Sequence, residues 1–389
     1  MRTRAFACLI VGFFMYAFSP AAAAQQELSV SATASVLTCG PGNDFYTTFG
    51  HTAIRITDPE LGIDYVYNYG TFDFNTPNFY WKFMRGQLDY KLARTSFERF
   101  IEEYRFEGRA VWEQPLCFEY GQLQNLYILL ETNLLPEYRY YKYDFFRDNC
   151  ATRPRDVIYS AWAMDTLLQR QAPMRSYRRL VADNLRDTLE WWRLGIDLLF
   201  GLPADHRCTA PERMFLPMEL MAEYAATGVS GIWAGHGLVD EPQLLLADSR
   251  APIGRSFPPE AAFGMLLAVL SLLTAVSRRS QGVGTALRIV NRVLFVVAGL
   301  IGLFLCFMWF GTDHYCTKWN LNILWASPLL ILVAIRMERS PRWALWLQLA
   351  CFVAAAVWVV VCGLAPAVLL IIIILALPLG RLLVSRKGA

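Results

Sequence analysis

"FFRDNCATRPRD", residues 145 to 156, sets one cysteine between an Asp-Asn pair and two arginines. Cysteine usually behaves as a small buried apolar residue, so a thiol in so polar a setting asks for a reason. "RDNC" offers Asp148 or Asn149 as a helix N-cap. A thiol in a helix's first turn beside arginines has its thiolate favoured by the dipole and the charges. That is what a nucleophile at neutral pH requires. With Asn149 as the cap, Pro154 would be the fifth helical residue; a start at Thr152 instead leaves Cys150 just before the helix.

A base for that thiol has few sources, because the chain has four histidines, at 51, 206, 236 and 314. His51, in "TTFGHTAIRI", opens a predicted strand and follows a glycine that lets other groups approach the backbone closely. The plain alternative is a strand histidine satisfied by one hydrogen bond. Asn68, in "YNYG" on the next predicted strand, is placed to orient the imidazole, the third role of a triad, or simply to cap a strand end. Arg55 lies four residues from His51, hence on the same strand face, suited to an ester carbonyl or phosphate or to an acidic partner. Oxyanion donors would be backbone N–H groups at the helix start, that of Cys150 included.

Outward from these residues the chain reads as α+β. "HTAIRIT" (51 to 57) and "DYVYNYGTF" (64 to 72) have the β-branched and aromatic content of strands, joined by "DPELGI" as a hairpin turn. "GQLQNLYILLETNLL" (121 to 135) spaces Leu123, Leu126, Leu130 and Leu134 as one face of an amphipathic helix. Segments 96 to 109 and 155 to 171 also read as helices.

The ends of the chain fix its compartment. MRTR, an apolar run, Pro20 and "AAAAQQ" follow the order of a secretory signal, with cleavage near Ala24, so residues 25–259 fold outside the cytoplasm. From Ala261 apolar segments of spanning length follow at 261 to 276, 289 to 310, 322 to 335, 343 to 363 and 366 to 384, the third short of the usual ~20 residues. The breaks at 277 to 288 and 336 to 342 and the tail are arginine-rich, whereas "GTDHYCTKWNLN" (311 to 322) has one lysine and "GLAP" (363 to 366) has no charge. Basic breaks on the cytoplasmic side place the first domain and the 311–322 loop together outside, with residues 260–389 as a membrane domain of five helices. The net charge of +3 is therefore an orientation signal, and no basic run with interleaved aromatics points to nucleic acid.

Outside the spans lie Cys39, Cys117, Cys150, Cys208 and Cys316, an odd number, so disulfides would leave at least one thiol over. There is no CxxC and no histidine pair at helical spacing, so no metal or other cofactor is implied.

"GPGNDFYTTFGHTAIRI", "YNYGTFDFNTPNFYWKFMRGQLDYKL", "YDFFRDNCATRPRD" and "TDHYCTKWNLNILWASPL" together resemble the Lnb-type lipoprotein intramolecular transacylase family, an exported domain followed by a multi-span membrane domain. The order of His before Asn-Cys also resembles the circularly permuted papain-like group that includes lecithin:retinol acyltransferase. The resemblance implies a permuted papain-like fold with Cys150 as nucleophile and His51 as base. It also implies a reaction in which an acyl chain leaves a diacylglyceryl-modified lipoprotein, forms a thioester and passes to a lipoprotein amine. Cys39, Cys117 and Cys316 lie outside the family motif.

In the 311–322 loop, Asp313, His314, Asn320 and Asn322 gather at the membrane surface on the domain's side, either as a substrate rim for a lipid headgroup or lipoprotein N-terminus or as interfacial anchors, with Trp319 and Trp325 as belt residues. Pulling a ~16-carbon chain wholly out of the bilayer costs on the order of 13 kcal/mol, which a site held at the interface avoids. Three functions stay open: acyl transfer on a membrane lipid or lipid-modified protein, papain-like hydrolysis of a cell-envelope peptide or amide, and a non-catalytic membrane-anchored binding module. The spans favour the first over the second, because an envelope hydrolase needs no multi-span bundle.

Overall fold

The computed structural model describes residues 27–162, 167–168, 174–185, 189–226, 228–229, 238–251, 254 and 256–384. The expected signal segment and His236 lie outside the described residues. Strands β1 (Thr33–Cys39), β2 (His51–Asp58), β3 (Ile63–Thr71), β4 (Asp89–Ser96), β5 (Val111–Pro115) and β6 (Tyr140–Lys142) belong to one antiparallel sheet. A two-residue ladder joins β7 (Leu167–Leu168) to β8 (Gly228–Val229), and β9 (Gln243–Leu246) completes the large sheet in the order β6-β4-β3-β2-β1-β5-β9. The expected hairpin is β2–β3, turning through 59 to 62, and its two predicted strands fall within a residue of their observed bounds.

Helices of the same domain are α1 (Phe79–Met84), α2 (Phe97–Glu107), α3 (Tyr120–Leu134), α4 (Thr152–Trp162), α5 (Tyr177–Asn184), α6 (Glu190–Leu199), α7 (Ala210–Arg213) and α8 (Pro217–Ala226). Alternation along the strands gives the sheet two buried faces. Val36, Ile54 and Tyr67 pack against Leu123, Leu126 and Leu130 of α3 and Ile158 of α4. On the other face, Leu37, Cys39, Ala53 and Val66 meet Phe100 and Tyr104 of α2. The helix expected over 155 to 171 starts earlier and ends at Trp162; Leu167 and Leu168 pair as β7 instead.

Five segments among the described residues are long and apolar enough to cross a membrane: α9 (Pro259–Val276), α10 (Gln281–Phe310), Tyr315–Arg339, α12 (Arg342–Cys362) and α13 (Ala367–Val384). The third is no continuous helix. Only α11 (Leu329–Arg336) within it is α-helical, preceded by 3₁₀ turns at Tyr315–Thr317 and Leu321–Leu324. Irregular backbone at such a depth needs partners from protein, because lipid offers none. The Gly201 N–H meets Cys316 O, and Asn320 and Asn322 in return serve the end of α6. Both are buried, their amides donating to the carbonyls of Asp197, Leu198 and Leu199 at the end of α6, where a helix leaves C=O groups unbonded. Trp325, expected in an interfacial belt, is 1 % exposed and donates from Nε1 to Asn322. Trp319, 60 % exposed, does face outward.

A buried arginine completes this joint. Arg178 of α5 is 1 % exposed and donates to Asp205 (2.6 Å), Asp197 (3.1 Å) and the carbonyls of Phe200 and Gly201. Both carboxylates also reach the membrane segments: Asp205 accepts from Trp358 Nε1 at 3.1 Å and Asp197 from the Ala365 N–H at 2.9 Å. Arg178→Met would leave the buried Asp197 and the partly buried Asp205 without this cation, a loss of about 3–5 kcal/mol for a broken buried pair. We expect a clear drop in the melting temperature of the detergent-solubilised protein; an unchanged midpoint would show that the joint carries no such weight.

Candidate active site

His51 and Cys150 come from opposite sides of the fold to one end of the sheet. Gly50 makes the strand start possible: its φ is +83°, and a Cβ there would lie 2.4 Å from the carbonyl oxygen of Cys39, the residue paired with His51 across β1–β2. His51 Nε2 is 3.2 Å from Asn68 Oδ1 on β3. An amide oxygen only accepts, so Nε2 carries the proton and donates, and Nδ1 of the neutral ring keeps the free lone pair. Burial lowers the His51 pKa to about 4; the Asn68 bond opposes this and the Arg109 charge adds to it.

Cys150 sits before α4, just after the bridge that ties Asp144 to Asp148. Asn149 fixes it there: Oδ1 accepts from the N–H groups of Ala151 and Thr152, and Nδ2 donates to the carbonyls of Phe145 and Phe215. Pro154 then falls in the first helical turn, where its missing N–H does no harm. Gly70, with φ of +91°, lies directly against the thiol, since a Cβ built on it would be 3.2 Å from Cys150 Cβ. The N–H of Thr52, next to His51, and that of Cys150 itself both favour a charged sulfur. The thiol therefore stands against the open end of the β2–β3 hairpin that carries His51 and Asn68.

Its electrostatics differ from the sequence expectation of a lowered pKa. Burial pushes the Cys150 thiol up to about 11, against the pull of the two N–H groups and Arg109. The neighbouring arginines do not activate it. Arg153 pairs with Asp148 and lies over the Tyr141 ring, and Arg155 binds Asp156 and the Pro211 carbonyl. The pair is thus set as neutral thiol and neutral imidazole.

The cation that does reach the site is Arg109, which sequence reading passed over. It is 4 % exposed, donates twice to Gly40 O (2.9 and 2.8 Å) and once to Glu107, and acts on Cys39, His51 and Cys150 together. Nothing in "FEGRAVW" marks it; only the return of the chain into β5 beside β1 brings it there. Tyr141 is a second residue missed, a buried phenol whose oxygen has no hydrogen-bond partner among the described residues and which senses charge on Cys150.

Other expected site residues lie elsewhere. Arg55 pairs with Asp64 (2.7 Å) and Glu113 (3.1 Å) over the Phe97 ring, toward the far end of β2, about 13 Å along the strand from His51. Asp313, which is exposed, accepts from Gln87 just after α1, and His314 Nε2 donates to the carbonyls of Phe83 and Met84, so both meet the domain around the end of α1. Asn320 and Asn322 are buried in the joint described above. Each described cysteine is a free thiol, Cys150 among them.

Fold and cluster together define a membrane protein with an α+β domain seated on five apolar segments, a cysteine, a histidine and an asparagine meeting at one end of its sheet. The chain belongs to the Lnb family: the model of the Lnb N-terminal periplasmic domain matches residues 20–183, and that of the Lnb transmembrane domain matches residues 252–387. No curated protein and no solved structure gave a match. The protein is accordingly an inner-membrane protein with its N-terminal domain in the periplasm.

The thiol's raised pKa has a direct readout. Alkylation of Cys150 by iodoacetamide, followed by peptide mass, should still be accelerating above about pH 9, since the thiolate is the reacting form. A rate that levels off near neutrality would mean an ion pair instead. Gly70→Ala should alter this profile, because the added methyl group displaces Cys150.

Proposed function

We propose that this protein is a thiol-dependent acyltransferase that processes lipid-modified proteins at the periplasmic face of the membrane, with Cys150 as nucleophile, His51 as base and Asn68 as the group that orients the imidazole. The observation that carries this reading is the His51–Asn68 bond, which leaves Nδ1 as the free base at the strand end where Cys150 rests. A catalytic segment that precedes a helix and a histidine that opens a strand is the arrangement of a circularly permuted papain-like enzyme. On this reading residues 1–24 are an export signal, 25–259 the catalytic domain and 260–389 the membrane domain.

With both partners neutral, His51 Nδ1 takes the thiol proton as sulfur attacks the ester carbonyl carbon of a diacylglyceryl group. The C–S bond forms, and the tetrahedral oxyanion is met by backbone N–H groups near the sulfur. The ester C–O bond then breaks, and the His51 proton passes to the departing glycerol oxygen. An amine of the lipoprotein next attacks the thioester, its proton going to His51 and on to the sulfur as the C–S bond breaks, so that thiol and imidazole return to their starting state. No step needs a redox partner. The seating of the domain on the spans supports a donor in the bilayer over a soluble wall peptide.

The test is intact-mass analysis of full-length protein incubated with vesicles and a diacylglyceryl-modified peptide, looking for one acyl group on Cys150. Cys150→Ala and His51→Ala should each lower turnover by at least about 100-fold, and the double variant should be little worse than either, because the two act as one unit. Turnover retained in Cys150→Ala would sink the nucleophile assignment. A base with a pKa of about 4 is neutral above that value, so kcat/KM should hold across mildly acidic pH and fall only as His51 is protonated near pH 4. An acid limb near pH 6.5, the ordinary histidine value, would contradict the buried site.

A further inference from the structure

The segment that joins β3 to β4 is unlike the rest of the periplasmic domain's surface. Phe74, Tyr80, Trp81 and Phe83 are 62, 81, 51 and 41 % exposed within one short stretch. Soluble surfaces rarely gather large apolar side chains this way unless something covers them. What covers them follows from where α1 is held. Trp81 packs on Phe307 of α10 (ring centroids 5.9 Å), Arg85 donates to Gly311 O at 3.1 Å, the Asp313 N–H donates to Arg85 O at 2.8 Å, and His314 holds the carbonyls of Phe83 and Met84. From Val293, just past Arg292, helix α10 rises about 27 Å to Phe310, nearly the ~30 Å thickness of the hydrocarbon layer. Phe307 and Phe310 therefore mark its outer edge, and α1 lies at that depth.

From α1 an unbroken file of rings runs inward. Phe83 stacks on Phe79 (6.2 Å), Phe79 meets Phe72 (5.7 Å), Phe72 meets Tyr90 (5.4 Å) and Tyr90 meets Tyr143 (4.6 Å). At the inner end, the Tyr90 and Tyr143 phenols lie within electrostatic reach of Cys150. Flat rings with few polar atoms give an alkyl chain an apolar surface at small cost in side-chain entropy.

We propose that the Phe74–Phe83 segment is immersed in the outer leaflet and that its file of aromatic rings receives an acyl chain of a diacylglyceryl group held in the bilayer and leads it to Cys150. The inference rests on the acyl-transfer reading above for its endpoint, whereas the immersion of the segment stands apart from it. The apolar outer end of α10 is continuous with the exposed face through the Trp81–Phe307 contact, which is why the occupant is lipid rather than a second protein.

The test uses full-length protein in phosphatidylcholine vesicles doped with a phosphatidylcholine that carries a diazirine on one acyl chain. After illumination, peptide mapping should find lipid adducts within residues 74 to 83, in wild type and in Cys150→Ser alike. Adducts confined to residues 259 to 384 would overturn the proposal. Phe74→Ser with Tyr80→Ser should lower acylation of Cys150 by a diacylglyceryl-modified peptide held in those vesicles relative to acylation by soluble p-nitrophenyl butyrate by about tenfold, the effect of lost positioning. An unchanged ratio between the two donors also overturns it. If wild-type Cys150 takes an acyl group from neither donor, the acyl-transfer reading fails, and the cross-linking map alone decides whether the segment meets lipid.

Discussion

The architecture depends on one constraint: non-helical backbone and open helix ends at the membrane's outer edge take hydrogen-bond partners from protein where lipid offers none. The segment from Gly311 to Pro328 is mostly irregular, and it meets the open ends of α6 and α10 there. Asn320 and Asn322 answer the unbonded carbonyls of α6, Lys318 Nζ answers those of Trp309 in the last turn of α10 and Thr312 just after it, and the Gly201 N–H answers Cys316 O. Arg178 then gathers the two aspartates that tie the same region to Trp358 and Ala365. Periplasmic domain and bundle thus complete each other's backbone bonding.

The same closeness shapes the proposed chemistry. Burial raises the energy of either charged form, so thiolate and imidazolium are both disfavoured, and Arg109 favours the first while further disfavouring the second. Such a pair is poised for proton transfer during attack rather than for storage of a reactive thiolate. In an oxidising periplasm a resting thiol is also the less readily oxidised form.

Much of this was legible in the chain. The β2–β3 hairpin declared itself through β-branched and aromatic content on either side of "DPELGI", α3 through its leucine spacing, and the five spans through length and apolarity. His51, Asn68 and Cys150 stood out because their neighbours were unusual, and the structure brings them to one end of the sheet. What could not be read was partnership over long separations. Arg55 looks available until Glu113, 58 residues on, arrives on β5. Arg109 looks ordinary until β5 returns beside β1. Asn320 and Asn322 look like surface polar groups because the carbonyls they meet belong to a helix more than a hundred residues earlier. The third span was legible as a segment but not in its backbone, which is irregular where Asn320 and Asn322 bond the end of α6.

The joint around Arg178 has a consequence for biogenesis. Its donors and acceptors are made at opposite times: residues 178 to 205 leave the ribosome well before Asn320, Trp358 and Ala365. Until the last two spans are inserted, Asp197 and Asp205 lack their final partners and the end of α6 has open carbonyls. The sheet and α3 hold a core of their own, but the stretch from α5 to Asp205 can reach its native form only once the membrane insertion of the chain is finished. Export and insertion are therefore steps in the folding of the periplasmic domain itself, and the protein is finished from its C-terminal end backwards.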